Sequence, residues 1–330
     1  MPQNKAWTLA SHPTGWVKEE NFKLVTSAAP QPAGGEVLVK NLWLSLDPYM
    51  RGRIGTAKSY AKGVSVGEVM VGQTVGEVVE SRHPQLKPGD KVLTQLGWQL
   101  FGVTQEAIKI DERGAPLSYY LGILGMPGLT AFFGLQEIGQ PKPGETVVVS
   151  AASGAVGSVV GQLAKIAGCR AVGIAGGREK CDYVTRELGF DACIDYKAEK
   201  DLRGAVERAC PKGVDVYFDN VGGEILDTLL ARMNLFGRVV VCGLISNYNA
   251  TEPYRLQNLM AVLVNRLKVQ GMIVLDWKDR YGEGLAALAG HLARGRLKYR
   301  ESVVQGLENA PRGLIDLLQG KNFGKQLVKL

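Results

Sequence analysis

T-V-V-V-S-A-A-S-G-A-V-G-S-V-V-G-Q-L-A-K-I-A-G-C-R-A-V-G-I-A-G-G-R-E-K, residues Thr146 to Lys180, decides the fold. An apolar strand leads into a glycine-rich turn, then a helix-length segment, then a second apolar strand. That order and length match the start of a dinucleotide-binding βαβ unit. Gly154 lets the backbone approach a pyrophosphate, and Gly157 lets the helix sit close to the sheet. The first N–H groups of that helix then face the phosphates, with the positive end of the helix dipole behind them. Ala152 holds the position usually taken by the first glycine, so the pattern reads A-x-G-x-x-G. Alone it is weak; the strands on both sides make it specific.

The end of the second strand bears on which dinucleotide fits. A site for NAD usually places Asp or Glu there, to accept from the ribose 2′-hydroxyl. Here Ile174 is followed by Ala175, Gly176, Gly177, Arg178, Glu179 and Lys180. Two cations arrive after small residues that leave space, and a 2′-phosphate suits them. The reading is NADP over NAD. Its plain alternative makes Arg178 and Lys180 solvated residues in the first turn of the next helix.

Composition narrows the class. Of 330 residues, 45% are hydrophobic and 22% charged, which is globular rather than disordered and allows two domains. The net charge of +7 is scattered without a Lys/Arg run, so no nucleic-acid role is expected. The first ten residues, M-P-Q-N-K-A-W-T-L-A, lack an apolar core, and no stretch approaches the ~18 apolar residues of a membrane span. The expected location is therefore the cytoplasm, with no membrane partner. Cys169, Cys181, Cys193, Cys210 and Cys242 include no C-x-x-C pair, and the only histidines are His12, His83 and His291. Neither set assembles a zinc lobe or a three-ligand catalytic site, so no metal is expected.

Residues 1 to about 122 read as mainly β. Strand-like runs at Val37–Leu46, Val71–Glu80 and Lys91–Leu96 are separated by turn signals such as Lys87-Pro88-Gly89-Asp90. From about Pro143 the rhythm changes to alternating strand and helix. Strands are expected at Thr146–Ser150, Ala171–Ala175, Ala192–Asp195, Val214–Asn220, Arg238–Cys242 and Lys268–Val274, as in a six-stranded parallel sheet. Residues 297–330 contain strand-like Glu301–Val304 and Gln326–Lys329 and resemble the first segment. The expected α/β architecture is a substrate domain over 1–122 completed by 297–330, around a nucleotide-binding domain over 123–296.

At this point several longer motifs carry a resemblance. They are L-S-L-D-P-Y-M-R-G-R (Leu44–Arg53), G-M-P-G-L-T-A-F-F-G-L (Gly125–Leu135), F-D-N-V-G-G (Phe218–Gly223), C-G-L-I-S-N-Y-N (Cys242–Asn249) and G-K-N-F-G-K (Gly320–Lys325). In this order, across nearly the whole chain, they resemble the zinc-independent medium-chain dehydrogenase/reductases, within them the NADPH-dependent alkenal/one and prostaglandin reductases. L-E-N-A-P (Leu307–Pro311) points further to the bacterial curcumin reductases. The resemblance implies a GroES-like domain beside a Rossmann domain, with the site in the cleft between them. It implies hydride transfer from NADPH to the β-carbon of an α,β-unsaturated ketone or aldehyde, and a homodimer. It also assigns positions. Gly154, Ala155, Val156 and Gly157 would line the pyrophosphate, and Lys180 and Tyr196 would hold the 2′-phosphate. Asn220 would sit by the ribose or adenine. Cys242, Gly243, Leu244, Ile245, Ser246, Asn247 and Tyr248 would run along the cofactor, and Met272, Ile273, Val274 and Asn322 would close over the nicotinamide.

The chemistry asks for a donor. Hydride addition to an enone puts negative charge on the carbonyl oxygen, which needs a hydrogen bond, and the α-carbon then needs a proton. With no metal expected, hydroxyls and backbone N–H groups are the candidates. Tyr248 follows the fifth strand at the carboxyl edge of the sheet, and a phenol of pKa about 10 keeps its proton at neutral pH. Its alternative is a loop tyrosine packed over the cofactor. Tyr49, after Pro48, is the second candidate, as pocket wall or donor; its alternative is a core tyrosine. Arg51 can orient an anionic substrate tail, or pair with Asp47. Two other functions share these features. One is an NADPH:quinone oxidoreductase of a neighbouring branch; the other is a cofactor-binding sensor without turnover.

Overall fold

Turn residues set the pace of the first part of the chain, as its sequence predicts. The computed structural model describes residues 2–57, 59–111 and 114–330. Strands β1 (Gln3–Leu9) and β2 (Phe22–Ala28) form an antiparallel ladder. Then follow β3 (Val37–Ser45), β4 (Thr74–Ser81), β5 (Lys91–Thr94), β6 (Phe101–Thr104) and β7 (Ile108–Lys109). The strand expected at Val71–Glu80 starts only at Thr74. Before it, Gln73 O accepts from Ser45 N and Gly72 O from Gly97 N, outside the ladder. A Cβ on Gly72 would lie 2.9 Å from Leu44 Cδ1, so any larger residue there would push on that side chain.

The second part alternates β8 (Thr146–Ser150), β9 (Arg170–Ala175), β10 (Ala192–Asp195), β11 (Val214–Asp219), β12 (Met233–Val241) and β13 (Lys268–Gly271) with helices. All six strands are parallel, in the order β10-β9-β8-β11-β12-β13. Every residue of β8 is buried, which is why it reads as a continuous apolar run rather than an alternating one. Two expected strands have different limits. β12 begins upstream at Met233, passing through Phe236 at φ 61. β13 stops at Gly271, since the chain turns into a short helical segment at Val274–Arg280 and only Met272 N still reaches Val241 O. Val148, Val172, Ile174, Tyr217, Leu229 and Val239 anchor the core on one face of this sheet.

The chain then returns to where it began. β14 (Glu301–Gln305) pairs parallel with β15 (Lys325–Lys329), and β15 pairs antiparallel with β3. The mixed sheet runs β14-β15-β3-β4-β5-β7, with β6 also on β3. Two compact units result: Met1–Gly122 with Glu301–Leu330, and Ile123–Arg300. Residues just before Glu301 stay with the second unit, because Gln162 holds Lys298 through both its N–H and its carbonyl. Among the described residues, no helix is long and apolar enough to cross a membrane.

Candidate functional site

In a parallel sheet of this order the connections change direction between β8 and β11, and ligands bind outside the carboxyl ends of those strands. The two ends are bolted together here. Asp219 Oδ1 accepts from Ser150 Oγ (3.1 Å), Tyr217 Oη (2.6 Å), Val221 N and Gly222 N (both 2.9 Å). Asn220 donates from its backbone N to Ser150 Oγ (2.9 Å) and from Nδ2 to Ser150 O (2.8 Å). Burial pushes the Asp219 carboxyl above its ordinary value, against the pull of those hydrogen bonds. Sequence reading singled out Asn220 and passed over Ser150 and Asp219. Their signal was two polar residues at the carboxyl ends of otherwise apolar strands.

The glycine turn follows β8 directly. Ala151 takes the left-handed conformation (φ 51), while Ala152 is buried and its N–H continues the sheet to Ile174 O. The left-handed residue thus directly precedes Ala152, which holds the usual first-glycine position. A Cβ on Gly157 would sit 2.4 Å from Ala151 O, and one on Gly154 3.1 Å from the same atom. Ala155 and Val156 lie between them, partly exposed, and the ten-residue helix Gly157–Ile166 starts there. This turn and helix start suit a pyrophosphate.

Beyond β9, Gly177 (φ 101) donates to Asp195 Oδ1 at 2.7 Å and opens the short helix Arg178–Asp182. Space over Gly176 is filled by the turn after β10: a Cβ there would lie 3.0 Å from Tyr196 Oη and 2.9 Å from Lys197 Cε. Lys180 is half-buried; burial lowers its ammonium pKa and the nearby Lys197 charge lowers it further. Two ammonium groups and a phenol therefore gather at the end of β9. Arg178 instead is exposed and faces Asp182 at 3.8 Å. Lys197 escaped the sequence reading, although it directly follows Tyr196.

The segment after β12 is tied across the same switch point. Cys242 N and Gly243 N donate to Asp219 O, and Ser246 donates to Val221 O through N (3.0 Å) and Oγ (2.6 Å). Leu244 and Asn247 complete this loop, and Ile245–Tyr248 forms a helical turn. The Tyr248 hydroxyl folds back to accept from Leu244 N at 3.5 Å, over Gly243, where a Cβ would lie 3.5 Å from that oxygen. Burial pushes the Cys242 thiol up to about 12, with Asp219 adding to it, so this sulfur stays protonated. Met272 and Val274 are buried, the Met272 sulfur filling the space beside Gly134, with Ile273 half-exposed between them.

The remaining candidates belong to the first unit. Tyr49 precedes the helical turn Met50–Arg53, and burial, helped by the Asp47 charge, holds its phenol well above the ordinary range. Arg51 is buried and donates to Gly15 O (2.9 Å) and Pro13 O (3.4 Å). Asp47, the ion-pair partner in the alternative reading of Arg51, accepts from Lys325 at 2.6 Å. Asn322 donates from Nδ2 to Gly324 O at 2.8 Å in the turn before β15. Among the described residues, no three His, Cys, Asp or Glu side chains come together as a metal ligand set.

Two family models match the chain: an oxidoreductase N-terminal domain over residues 5–109 and a zinc-binding dehydrogenase domain over residues 155–290. The chain is 47% identical to an NADPH-dependent curcumin reductase of Escherichia coli, over 99% of its own length and 97% of that protein. It is 44% identical to an NADP(+)-dependent 2-alkenal reductase of Nicotiana tabacum, over 98% and 97%. Among solved structures, that of CurA from Vibrio vulnificus in complex with NADPH superposes with a TM-score of 0.95. That match is 49% identical and covers 98% of both chains.

Proposed function

Because the chain belongs to the medium-chain dehydrogenase/reductases, among the curcumin, 2-alkenal and prostaglandin reductases, we propose that it reduces the C=C bond of α,β-unsaturated ketones and aldehydes with NADPH. The observation that carries this reading is the near full-length match to enone reductases. The cations gathered beside Gly176, with no carboxylate ending β9, support the choice of NADPH.

Bound NADPH would supply hydride to the substrate β-carbon. The chain's own part is to hold and to donate. Residues Gly154 to Gly157 bind the pyrophosphate; Lys180, Tyr196 and Lys197 bind the 2′-phosphate. Asn220, positioned by Ser150, contacts the ribose side, and residues 242–248 and 272–274 flank the nicotinamide half. Tyr248 donates a hydrogen bond to the carbonyl oxygen as negative charge collects there, and the α-carbon then takes its proton from solvent. Tyr49 lines the substrate, its phenol kept protonated by burial. Arg51, whose guanidinium also ties down the chain at Pro13 and Gly15, can orient an anionic substrate tail. The spacing of the chain's cysteines, which form no C-x-x-C pair, supports reading the reaction as metal-free.

The homodimer reading has a surface to use. β13 ends the parallel sheet, and exposed Leu259, Met260, Leu263, Val264 and Val269 lie on it or just before it. An apolar sheet edge of this kind calls for a cover. A molar mass in solution twice that of the chain supports the dimer, and a monomer overturns it.

NADPH oxidation in parallel with curcumin, a medium-chain alkenone, a quinone and a saturated alcohol tests the activity. Turnover of either enone with a saturated C–C product supports it. Turnover of the quinone alone moves the protein to quinone reduction, and none at all leaves only cofactor binding.

A further inference from the structure

Two cysteines that the reaction does not use stand against each other. Cys181 is the fourth residue of the helix Arg178–Asp182, and Cys193 is the second residue of β10. Their sulfurs are 2.9 Å apart. A disulfide needs about 2.05 Å, so less than about 1 Å of approach remains. The strand opposite is shaped for this: Cys193 pairs in register with Gly173, where even a Cβ would lie 3.4 Å from the Cys193 sulfur. Both thiols are half-buried, whereas Cys169 and Cys210 are buried.

We propose that Cys181 and Cys193 form a dithiol site, closed to a disulfide by a small disulfide oxidant of the glutathione-disulfide class, and that closure weakens the hold on NADPH relative to NADH. The cofactor part rests on the reading of Lys180 and Tyr196 given above. Lys180 immediately precedes Cys181, and Tyr196 and Lys197 form the turn just after β10, the strand of Cys193 that the disulfide would draw closer.

The roles of the two sulfurs differ. The hydrogen bond from Cys193 lowers the Cys181 thiol and, with burial, raises that of Cys193, so Cys181 attacks first. Its thiolate bonds to one sulfur of the oxidant, the S–S bond breaks, and one glutathione thiolate leaves and takes a proton. Cys193 then gives its proton to solvent and attacks the Cys181 sulfur, expelling the second glutathione, which is protonated in turn. The dithiol loses two electrons and two protons, and the oxidant is reduced to two thiols.

The test treats the full-length reduced protein with glutathione disulfide. Intact mass and peptide mapping should show loss of two hydrogens and a Cys181–Cys193 link. The Cys193→Ser variant should stop at a glutathione adduct on Cys181. The oxidised wild type should show KM for NADPH raised by at least about threefold, KM for NADH unchanged, and recovery with a dithiol reductant. No link, or adducts only on other cysteines, overturns the site. A link without a change in the NADPH-to-NADH ratio overturns the coupling, provided Lys180→Ala raises KM for NADPH alone. If Lys180→Ala weakens both cofactors equally, the phosphate reading fails, and the link stands or falls on its mass.

Discussion

Lys325 Nζ donates to Asp47 Oδ1 at 2.6 Å, joining residues 278 positions apart in the sequence. The lysine also donates to Leu46 O at 2.8 Å, and Ser45 Oγ donates to the other carboxylate oxygen. Lys325 is 1% exposed and Asp47 5%. The pair thus clamps the segment that carries Tyr49 to the first residue of β15.

Removing one partner of such a pair leaves a buried charge without compensation. Lys325→Met should lower stability by about 3–5 kcal/mol, and Asp47→Asn added to it should recover a large part. Urea unfolding at neutral pH reads both; a loss below about 1 kcal/mol for the single variant would show that water reaches the carboxylate.

Lys180→Ala should raise KM for NADPH by an amount worth about 1.5–3 kcal/mol while leaving NADH nearly untouched, since a phosphate contact is charge-assisted. Initial rates with each cofactor decide it. Equal losses would mean that Lys180 does not read the phosphate.

Tyr248→Phe keeps the ring and removes the donor. With an enone substrate kcat should fall about 10²-fold or more, with KM for NADPH little changed. Unchanged kcat would transfer the donor role elsewhere, and Tyr49→Phe in the same assay shows whether it moves to that residue.

The Tyr217 hydroxyl, fully buried, donates to Asp219 beneath the switch point. Tyr217→Phe should cost about 1–3 kcal/mol, because a buried carboxylate oxygen loses a donor. It should also weaken NADPH binding through Asn220, whose neighbours Val221 and Gly222 bond the same oxygen. Stability loss without any change in cofactor affinity would confine the network to folding.

Beside other lowered carboxylates such as Asp191, one source of acid sensitivity is Glu145. Burial raises its pKa, but Arg238, at 3.0 and 2.6 Å, and the Lys142 N–H outweigh that and bring it below the ordinary value. A carboxylate with a lowered folded pKa stabilises above its unfolded value of about 4.3 and loses that contribution as pH falls through the folded value. Urea midpoints should therefore drop from about pH 5 downward, and Glu145→Gln should flatten the drop. An unchanged slope would assign the acid loss to other carboxylates.

Local pattern was enough wherever a residue's role depends on its chain neighbours. The four strands from β8 to β11, the turn at Gly154–Gly157 and the small residues after Ile174 were legible because periodicity and glycine placement act within a few residues. Boundaries set by contact with other strands were not: β13 ends at Gly271 although Met272-Ile273-Val274 is as apolar as a strand. The left-handed residue of the turn is Ala151, which nothing in its own side chain announces, while the Ala152 N–H bonds to Ile174 O on the neighbouring strand. Lys197 beside Lys180, Cys181 against Cys193 and Lys325 on Asp47 are all pairings of side chains from different elements. Sequence determined the alternation of strands and helices and the glycine turn that suits a dinucleotide, since propensity and patterning are local. Only the tertiary structure decided which charges and thiols meet, because burial and distance between separate strands are properties of the folded chain alone.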